Sequence, residues 1–185
     1  MAFLRYSFAL ALLSGLAFSF RIEPNCKELT KPLQLDGDYS SIMGKWTAAV
    51  GASEGIVGMI IQTMETHWIE LSPGANDKIM RVKQAYRLDN TCRHDTMELP
   101  LSSANIPEHP NGGSIQYYLL PSCSNCLIGY LDQADKYYHS RVLMLFSRER
   151  EVSTSTVDLF KKQAECLGFP ELFTFYNKVS ELCPE

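Results

Sequence analysis

Most of the chain consists of short segments in which apolar and polar residues alternate, separated by clusters of turn-forming residues. Alternation with a period of two is typical of strands that bury one face, and Gly, Pro, Asn and Asp clusters mark the turns between them. Thr63–Ser72 shows this pattern and runs into the turn cluster Pro73-Gly74-Ala75-Asn76-Asp77. Similar extended segments are predicted at Lys78–Leu88, Cys92–Leu101, Ser114–Leu120, Cys126–Leu131 and Tyr137–Arg148.

Ala104–Gly113 interrupts this series. It contains Pro107, Pro110 and Asn111-Gly112-Gly113, so we expect a loop that replaces or shortens one strand. Short strands joined by tight turns favour an antiparallel sandwich or a closed barrel over a βαβ fold.

One helix is predicted after the strands. Ser153 to Thr156 supply N-cap candidates, and Asp158 lies in the first turn, where its charge suits the helix dipole. The apolar residues of the segment recur at helical spacing: Val157, Phe160, Ala164 and Leu167. Gly168 is placed for a left-handed C-cap, and Pro170 stops the helix. A last strand is predicted near Leu172–Val179.

The N-terminus has the pattern of a secretory leader. Residues 1–19 combine Arg5, an apolar run and the small-x-small site Ala17-Phe18-Ser19, which predicts a cleaved signal peptide followed by one domain over 20–185. A retained N-terminal anchor is the alternative. No other segment approaches the ~20 apolar residues that span a bilayer. We therefore expect a secreted, extracellular protein without an integral membrane span.

Charge and motifs exclude several function classes. The formal charge is −4, and it becomes one unit more negative when the leader with Arg5 is removed. A mildly acidic chain without basic runs argues against nucleic-acid binding. His67, His94, His109 and His139 are scattered, and no nucleophile motif accompanies them, so no catalytic residue, metal site or cofactor is predicted and the protein is not expected to be an enzyme.

Six cysteines follow the leader: Cys26, Cys92, Cys123, Cys126, Cys166 and Cys183. An even number in an exported chain indicates disulfides, and the sequence alone leaves all 15 pairings open. The Cys123-x-x-Cys126 pair has no second such pair and no helix N-terminus to support redox or zinc chemistry. A local loop disulfide is favoured; redox or metal chemistry and an intermolecular bond remain alternatives.

Gly44-Lys45-Trp46, which opens the first strand, resembles the signature of the lipocalin family. Leu119 to Leu127 (LLPSCSNCL) and Phe160 to Phe169 (FKKQAECLGF) resemble the branch of fish saxitoxin- and tetrodotoxin-binding-protein-like lipocalins, which is related to α1-acid glycoprotein and apolipoprotein M. The resemblance implies an all-β fold: an eight-stranded antiparallel up-and-down barrel with one C-terminal α-helix packed outside.

The resemblance also implies structural roles. It pairs Cys26 with Cys166 and Cys92 with Cys183, which leaves Cys123 with Cys126. Gly44 turns the chain into the barrel, Trp46 plugs its floor, and Arg148, with Arg150 as the second choice, lies across that tryptophan as a cation–π lid.

Strand phases taken from the same resemblance predict the inner face of the barrel. They direct Ala48, Val82, Leu99 and Val142 inward beside the predicted ligand-binding residues, which are His67, Ile69, Gln84, Tyr86, Asp95, Met97, Met144 and Phe146. Arg81, Arg87 and Arg93 enter instead if a strand is shifted by one residue. Asp95 favours a cationic ligand, since Coulomb attraction grows as the dielectric constant falls.

The function implied is that of a carrier in body fluids for a small lipophilic or cationic amphiphilic ligand, guanidinium toxins among them. The alternative is a lipid-binding protein of the apolipoprotein M type that associates with lipoprotein particles or another partner.

Overall fold

The computed structural model describes residues 25–35, 38–101, 113–175 and 181–185, and the backbone of 104–109. The predicted leader, 1–19, lies outside these ranges. Within these ranges there are three helices, α1 (Cys26–Leu29), α2 (Gly55–Gln62) and α3 (Thr154–Cys166), with a 3-10 turn at Ser40–Ile42. The nine strands are β1 (Gly44–Glu54), β2 (Thr66–Pro73), β3 (Ile79–Leu88), β4 (Thr91–Pro100), β5 (Ala104–His109), β6 (Gly113–Leu120), β7 (Cys126–Ala134), β8 (His139–Ser147) and β9 (Phe173–Thr174).

The strands form one antiparallel sheet. Its order is β4-β3-β2-β1-β8-β7-β6-β5, so consecutive strands pair from β1 to β4 and from β5 to β8, and β1 also pairs with β8. This is the up-and-down order expected, and the eight strands curl into a half-barrel with β4 and β5 at its two edges. The α2 connection and the β3–β4 and β7–β8 turns lie at one end, which we call the open end.

Two apolar layers hold the sheet. The inner layer includes Trp46, Ile69, Val82, Met144 and Phe146, each at most 8% exposed. On the outer face, Phe160 and Ala164 of α3 pack on β1, β7 and β8 through residues such as Val50, Ile128, Leu143 and Leu145. The helix therefore packs outside the barrel, as expected.

The capping residues of α3 match the sequence prediction, but Asp158 was wrongly placed in the first turn, because the helix begins at Thr154 and its first turn contains no acidic residue. The Ser153 side chain accepts a hydrogen bond from the backbone N–H of Thr156 at 3.3 Å. Gly168 has φ +79°, and the N–H groups of Gly168 and Phe169 donate to the carbonyls of Glu165 and Ala164. This pair of bonds closes the helix in a Schellman motif, which requires the left-handed residue that glycine supplies.

The prediction of a loop over Ala104–Gly113 is wrong for 104–109 and for Gly113, while 110–112 lie outside the described residues. Residues 104–109 form β5, which pairs with β6 from Ala104↔Tyr117 to His109↔Gly113, with a register shift after Pro107. Proline lacks the N–H that a ladder needs, and β5 is an edge strand, where that loss is tolerated.

The predicted last strand is shorter than expected. β9 covers two residues, pairing Val50↔Thr174 and Gly51↔Phe173, and 176–180 lie outside the described residues. β1 pairs with β2 only from Gly44 to Thr47, so β9 takes the place beside β1 that β2 leaves vacant.

Candidate functional site

All eight residues predicted to contact a ligand lie on the inner face of the sheet. Directly opposed residues in an antiparallel pair share a face, and Ile69, Gln84 and Asp95 are opposed across β2, β3 and β4. The same register opposes His67 to Tyr86, and Val82 to Met97. Met144 and Phe146 belong to the inner layer.

The inner face is divided by exposure. The wall formed by β1, β2 and β8 is closely packed: Ile69, Met144 and Phe146 are buried. Towards β4 the face opens, because Gln84 and Tyr86 are half-buried while Asp95 and Met97 are exposed. A ligand on this face therefore meets an apolar wall on one side and accessible polar groups on the other.

A row of polar side chains crosses the inner face. His67 Nε2 lies 3.1 Å from Gln84 Oε1, and Gln84 Nε2 donates to Asp95 Oδ2 at 3.4 Å. The row follows from the strand register, which places one polar residue on each of three neighbouring strands. It runs from the most buried part of the site to its accessible side.

His67 lies among aromatic rings. Its ring centroid is 5.6 Å from that of Phe146, 6.2 Å from Phe175 and 6.3 Å from Tyr86. The side chain is 9% exposed, and burial lowers the pKa of His67 to about 4 although the hydrogen bond with Gln84 opposes the shift. His67 is therefore neutral at pH 7. Its Nδ1 is buried and has no hydrogen-bond partner among the described residues.

Phe173 and Phe175 complete the apolar wall of the inner face, although neither residue was predicted to belong to the site. The Phe173 ring covers Gly51, where an added Cβ would come within 2.4 Å of the ring. Phe175 is 4% exposed, and its N–H donates to the Ala49 carbonyl at 3.1 Å. The sequence does show the two phenylalanines alternating with Thr174 in the predicted last strand. It does not show that β2 leaves room beside β1 for this segment.

The strand phase also places the arginines. Arg93 is directly opposite Tyr86, so it lies on the inner face near the open end. Arg81 and Arg87 lie on the outer face, where Arg81 pairs with Glu98 at 3.6 Å and Arg87 donates to the Glu181 carbonyl. The inner face of β4 thus carries both Arg93 and Asp95. Arg93 was not among the predicted ligand-binding residues.

A cleft of about 1320 Å³ runs along β1 and reaches the polar row from the side. His67, Ala48 and Phe175 border it, together with the β8–α3 connection from Arg148 to Val152 and the C-terminal residues Glu181 and Leu182. Among the described residues that line this cleft, His67 is the one that was also predicted to bind a ligand. The cleft therefore approaches the buried end of the row rather than the exposed Asp95.

The opposite end of the barrel is closed around Trp46. Its indole N–H donates to the Ile42 carbonyl at 2.8 Å, and the Arg148 guanidinium lies 4.2 Å from the ring centroid. Arg148 also donates to the carbonyls of Ser41 and Met43, and Gly44 turns the chain with φ +99°. These are the positions that the resemblance assigns to the floor of the barrel.

Three disulfides join Cys26 to Cys166, Cys92 to Cys183 and Cys123 to Cys126, and no free cysteine is present among the described residues. The pairs are those implied by the resemblance. Cys92–Cys183 fastens the C-terminal segment to the outer face, where the Trp68 indole N–H donates to the Cys183 carbonyl at 2.8 Å. Disulfides of this kind are typical of proteins from oxidising compartments.

The open end carries an apolar helix. α2 contains no charged residue, and Ile56, Met59 and Ile60 are 53%, 60% and 50% exposed. Its buried side is close to the sheet, because an added Cβ at Gly58 would lie 2.8 Å from the Ser53 side chain. Within the described residues no helix is long and apolar enough to cross a membrane, and no group of three potential metal ligands occurs.

No family model matches the chain, and no curated protein matches it. Solved structures do resemble it in fold, and two of them serve as examples. The siderocalin Ex-FABP, described as functioning through dual ligand specificities, is 17% identical, with a TM-score of 0.57 over 70% of this chain and 88% of its own. A dog lipocalin allergen is 18% identical, with a TM-score of 0.61 over 77% of this chain and 97% of its own. On the strength of its sheet order, its external helix and these two similarities, the chain has the lipocalin fold.

Proposed function

We propose that the protein is a secreted carrier that binds one small lipophilic or cationic amphiphilic ligand on the inner face of its half-barrel. The observation that carries this proposal is the division of that face. An apolar wall of buried side chains meets a single polar row that ends at the accessible Asp95. Small-molecule sites usually combine apolar surface with a few polar groups that fix orientation.

Membership in the toxin-binding branch of lipocalins is part of the same proposal. Asp95 on the inner face supports a cationic group in the ligand, since a carboxylate attracts cations and the attraction strengthens where a bound ligand excludes water. Arg93 lies on the inner face of the same strand and repels cations, so a cationic group is favoured only next to Asp95. The three disulfides support secretion, with residues 1–19 as the signal peptide.

Ligand titration tests the carrier proposal. We expect saturable one-to-one binding of alkyl alcohols, alkyl amines or guanidinium compounds, measured by isothermal titration calorimetry. Met97→Lys places a charge on the inner face, and Thr96→Lys places the same charge on the outer face of the same strand. Met97→Lys is expected to weaken binding at least about tenfold, which corresponds to about 1.4 kcal/mol, because a bound ligand would have to cover the ammonium group. Thr96→Lys is expected to weaken binding less than about twofold.

The proposal is contradicted if no ligand of these classes binds, or if the two variants weaken binding equally. Circular dichroism melting of both variants separates loss of binding from loss of folding.

A second function is supported by α2. Its exposed Ile56, Met59 and Ile60 form an apolar surface without charge, which suits association with a lipoprotein particle. Replacing all three residues with serine is expected to abolish co-flotation with lipoprotein particles while leaving binding of small ligands intact. Co-flotation that survives the triple replacement excludes α2 as the contact surface.

A further inference from the structure

The three polar residues of the inner row fix one another's hydrogen-bonding roles. A carboxylate only accepts hydrogen bonds, so Asp95 requires the Gln84 amide to turn its Nε2 towards it. The Gln84 carbonyl oxygen then faces His67 Nε2, and that nitrogen must carry the proton. In the neutral imidazole the other nitrogen, Nδ1, is left as a hydrogen-bond acceptor.

The acceptor at Nδ1 lies in apolar surroundings. The His67 side chain is 9% exposed, and Nδ1 has no partner among the described residues. The rings of Phe146, Phe175 and Tyr86 lie around the imidazole, and none of the described residues donates a hydrogen bond to Nδ1. A buried acceptor without a donor is unfavourable, so a ligand that brings a donor gains more here than it would on an exposed surface.

His67 is also within reach of a ligand. It borders the cleft that runs along β1, together with Ala48 and Phe175. A molecule that enters the cleft therefore contacts the His67 side chain at the buried end of the polar row.

We propose that His67 Nδ1, held as an acceptor by Gln84 and Asp95, selects ligands whose polar group donates a hydrogen bond. The inference rests on the proposed carrier function and narrows its ligand class. Alcohols and amines satisfy the site. Ethers have no hydrogen-bond donor. Ionised carboxylates have no donor either, and their negative charge is repelled by the lone pair of Nδ1 and by Asp95. Both classes are therefore disfavoured. Gln84 acts as a positioning residue, because it sets the tautomer and does not itself meet the ligand's donor.

Chain-matched ligands test the selection directly. Decan-1-ol, 1-methoxynonane and decanoate have nearly the same apolar length and differ in the polar group. We expect wild-type protein to bind the alcohol about tenfold more tightly than the ether, which corresponds to one buried hydrogen bond, and to bind decanoate more weakly than the alcohol. His67→Phe keeps an aromatic ring without the acceptor, so the alcohol-to-ether ratio is expected to fall to about one. His139→Phe, at an exposed histidine on β8, is expected to leave the ratio unchanged.

Nitrogen-15 NMR of the imidazole supplies a second measurement that does not depend on any ligand. The free protein is expected to show His67 as the Nε2–H tautomer, with the Nδ1 resonance moving when decan-1-ol binds. Gln84→Leu removes the group that sets the tautomer and is expected to give a mixture of both forms.

The outcomes separate the two proposals. Equal affinity for alcohol and ether in a protein that binds both overturns the donor selection and leaves the carrier function standing. A proton on Nδ1 in the free protein also overturns it. If none of the three ligands binds, the carrier function for lipophilic ligands fails, and the donor selection fails with it.

Discussion

Replacing His67 with phenylalanine should make the protein more resistant to acid. Burial among Phe146, Phe175 and Tyr86 lowers the pKa of His67 to about 4, whereas the unfolded chain has the ordinary value of 6.5. Below pH 6.5 the unfolded state therefore binds a proton that the folded state does not bind until about pH 4. The free energy of unfolding therefore decreases as the pH is lowered from about 6.5 to about 4. A phenylalanine at position 67 does not titrate, so the variant does not lose this stability.

The size of the effect follows from the two pKa values. A difference of about 2.5 pH units corresponds to roughly 3 kcal/mol, reached near pH 4, with a slope of at most about 1.4 kcal/mol per pH unit. At pH 7.5 the variant lacks the hydrogen bond between His67 and Gln84, which costs it about 1 kcal/mol. We therefore expect the wild-type protein to be more stable at pH 7.5 and the variant to be more stable near pH 4.5.

Urea denaturation monitored by tryptophan fluorescence, repeated between pH 4.5 and 7.5, measures this reversal. The carboxylates that titrate in the same range are common to both proteins, so their contribution cancels in the difference. A difference in unfolding free energy that stays constant across the range would show that His67 is not buried in its neutral form, and the polar row would then have to be reassigned.

Three further replacements test the framework of the fold by the same denaturation assay. Replacing Cys92 and Cys183 together with alanine should lower the unfolding free energy by at most roughly 4–5 kcal/mol, because their bond closes a separation of 91 residues; a loss below about 1 kcal/mol would show that the bond constrains little. Phe160→Ala should cost about 3–5 kcal/mol, since this ring of α3 is fully buried against the sheet, and a cost typical of a surface residue would mean that the helix is not docked there. Arg148→Ala should cost about 1 kcal/mol and change the fluorescence of Trp46; an unchanged spectrum would contradict the cation–π contact.

Much of the barrel could be predicted from the chain because its strands are amphipathic and its turns are marked by residues with restricted backbone preferences. The phase of β2, β3 and β4 was implied by the family resemblance, and the strand register places Ile69, Val82 and Met97 on the same face, as implied. Their partners then follow from the up-and-down order. The cap residues of α3 were equally clear, since Ser153 and Gly168 act through local hydrogen bonds.

Other features depend on contacts that a local pattern does not contain. α2 is short and contains no charged residue, so it lacks the charged positions that mark a surface helix, and it is held by distant partners such as the Ser140 hydroxyl, which accepts from the Val57 N–H. β5 was missed because prolines predict a loop and only its place at the sheet edge makes them tolerable. Phe175 joined the site because β2 leaves β1 early, which no residue near position 175 indicates.

The most direct test of the inner-face ligand site uses methionine methyl groups as reporters. Met97 and Met144 lie on the inner face, and Met59 lies on the exposed side of α2. During titration of methyl-carbon-13 methionine-labelled protein with decan-1-ol, we expect the Met97 and Met144 resonances to shift and saturate at one equivalent while Met59 stays unchanged. Shifts confined to Met59, or no saturable shift at Met97 and Met144, would contradict a ligand site on the inner face.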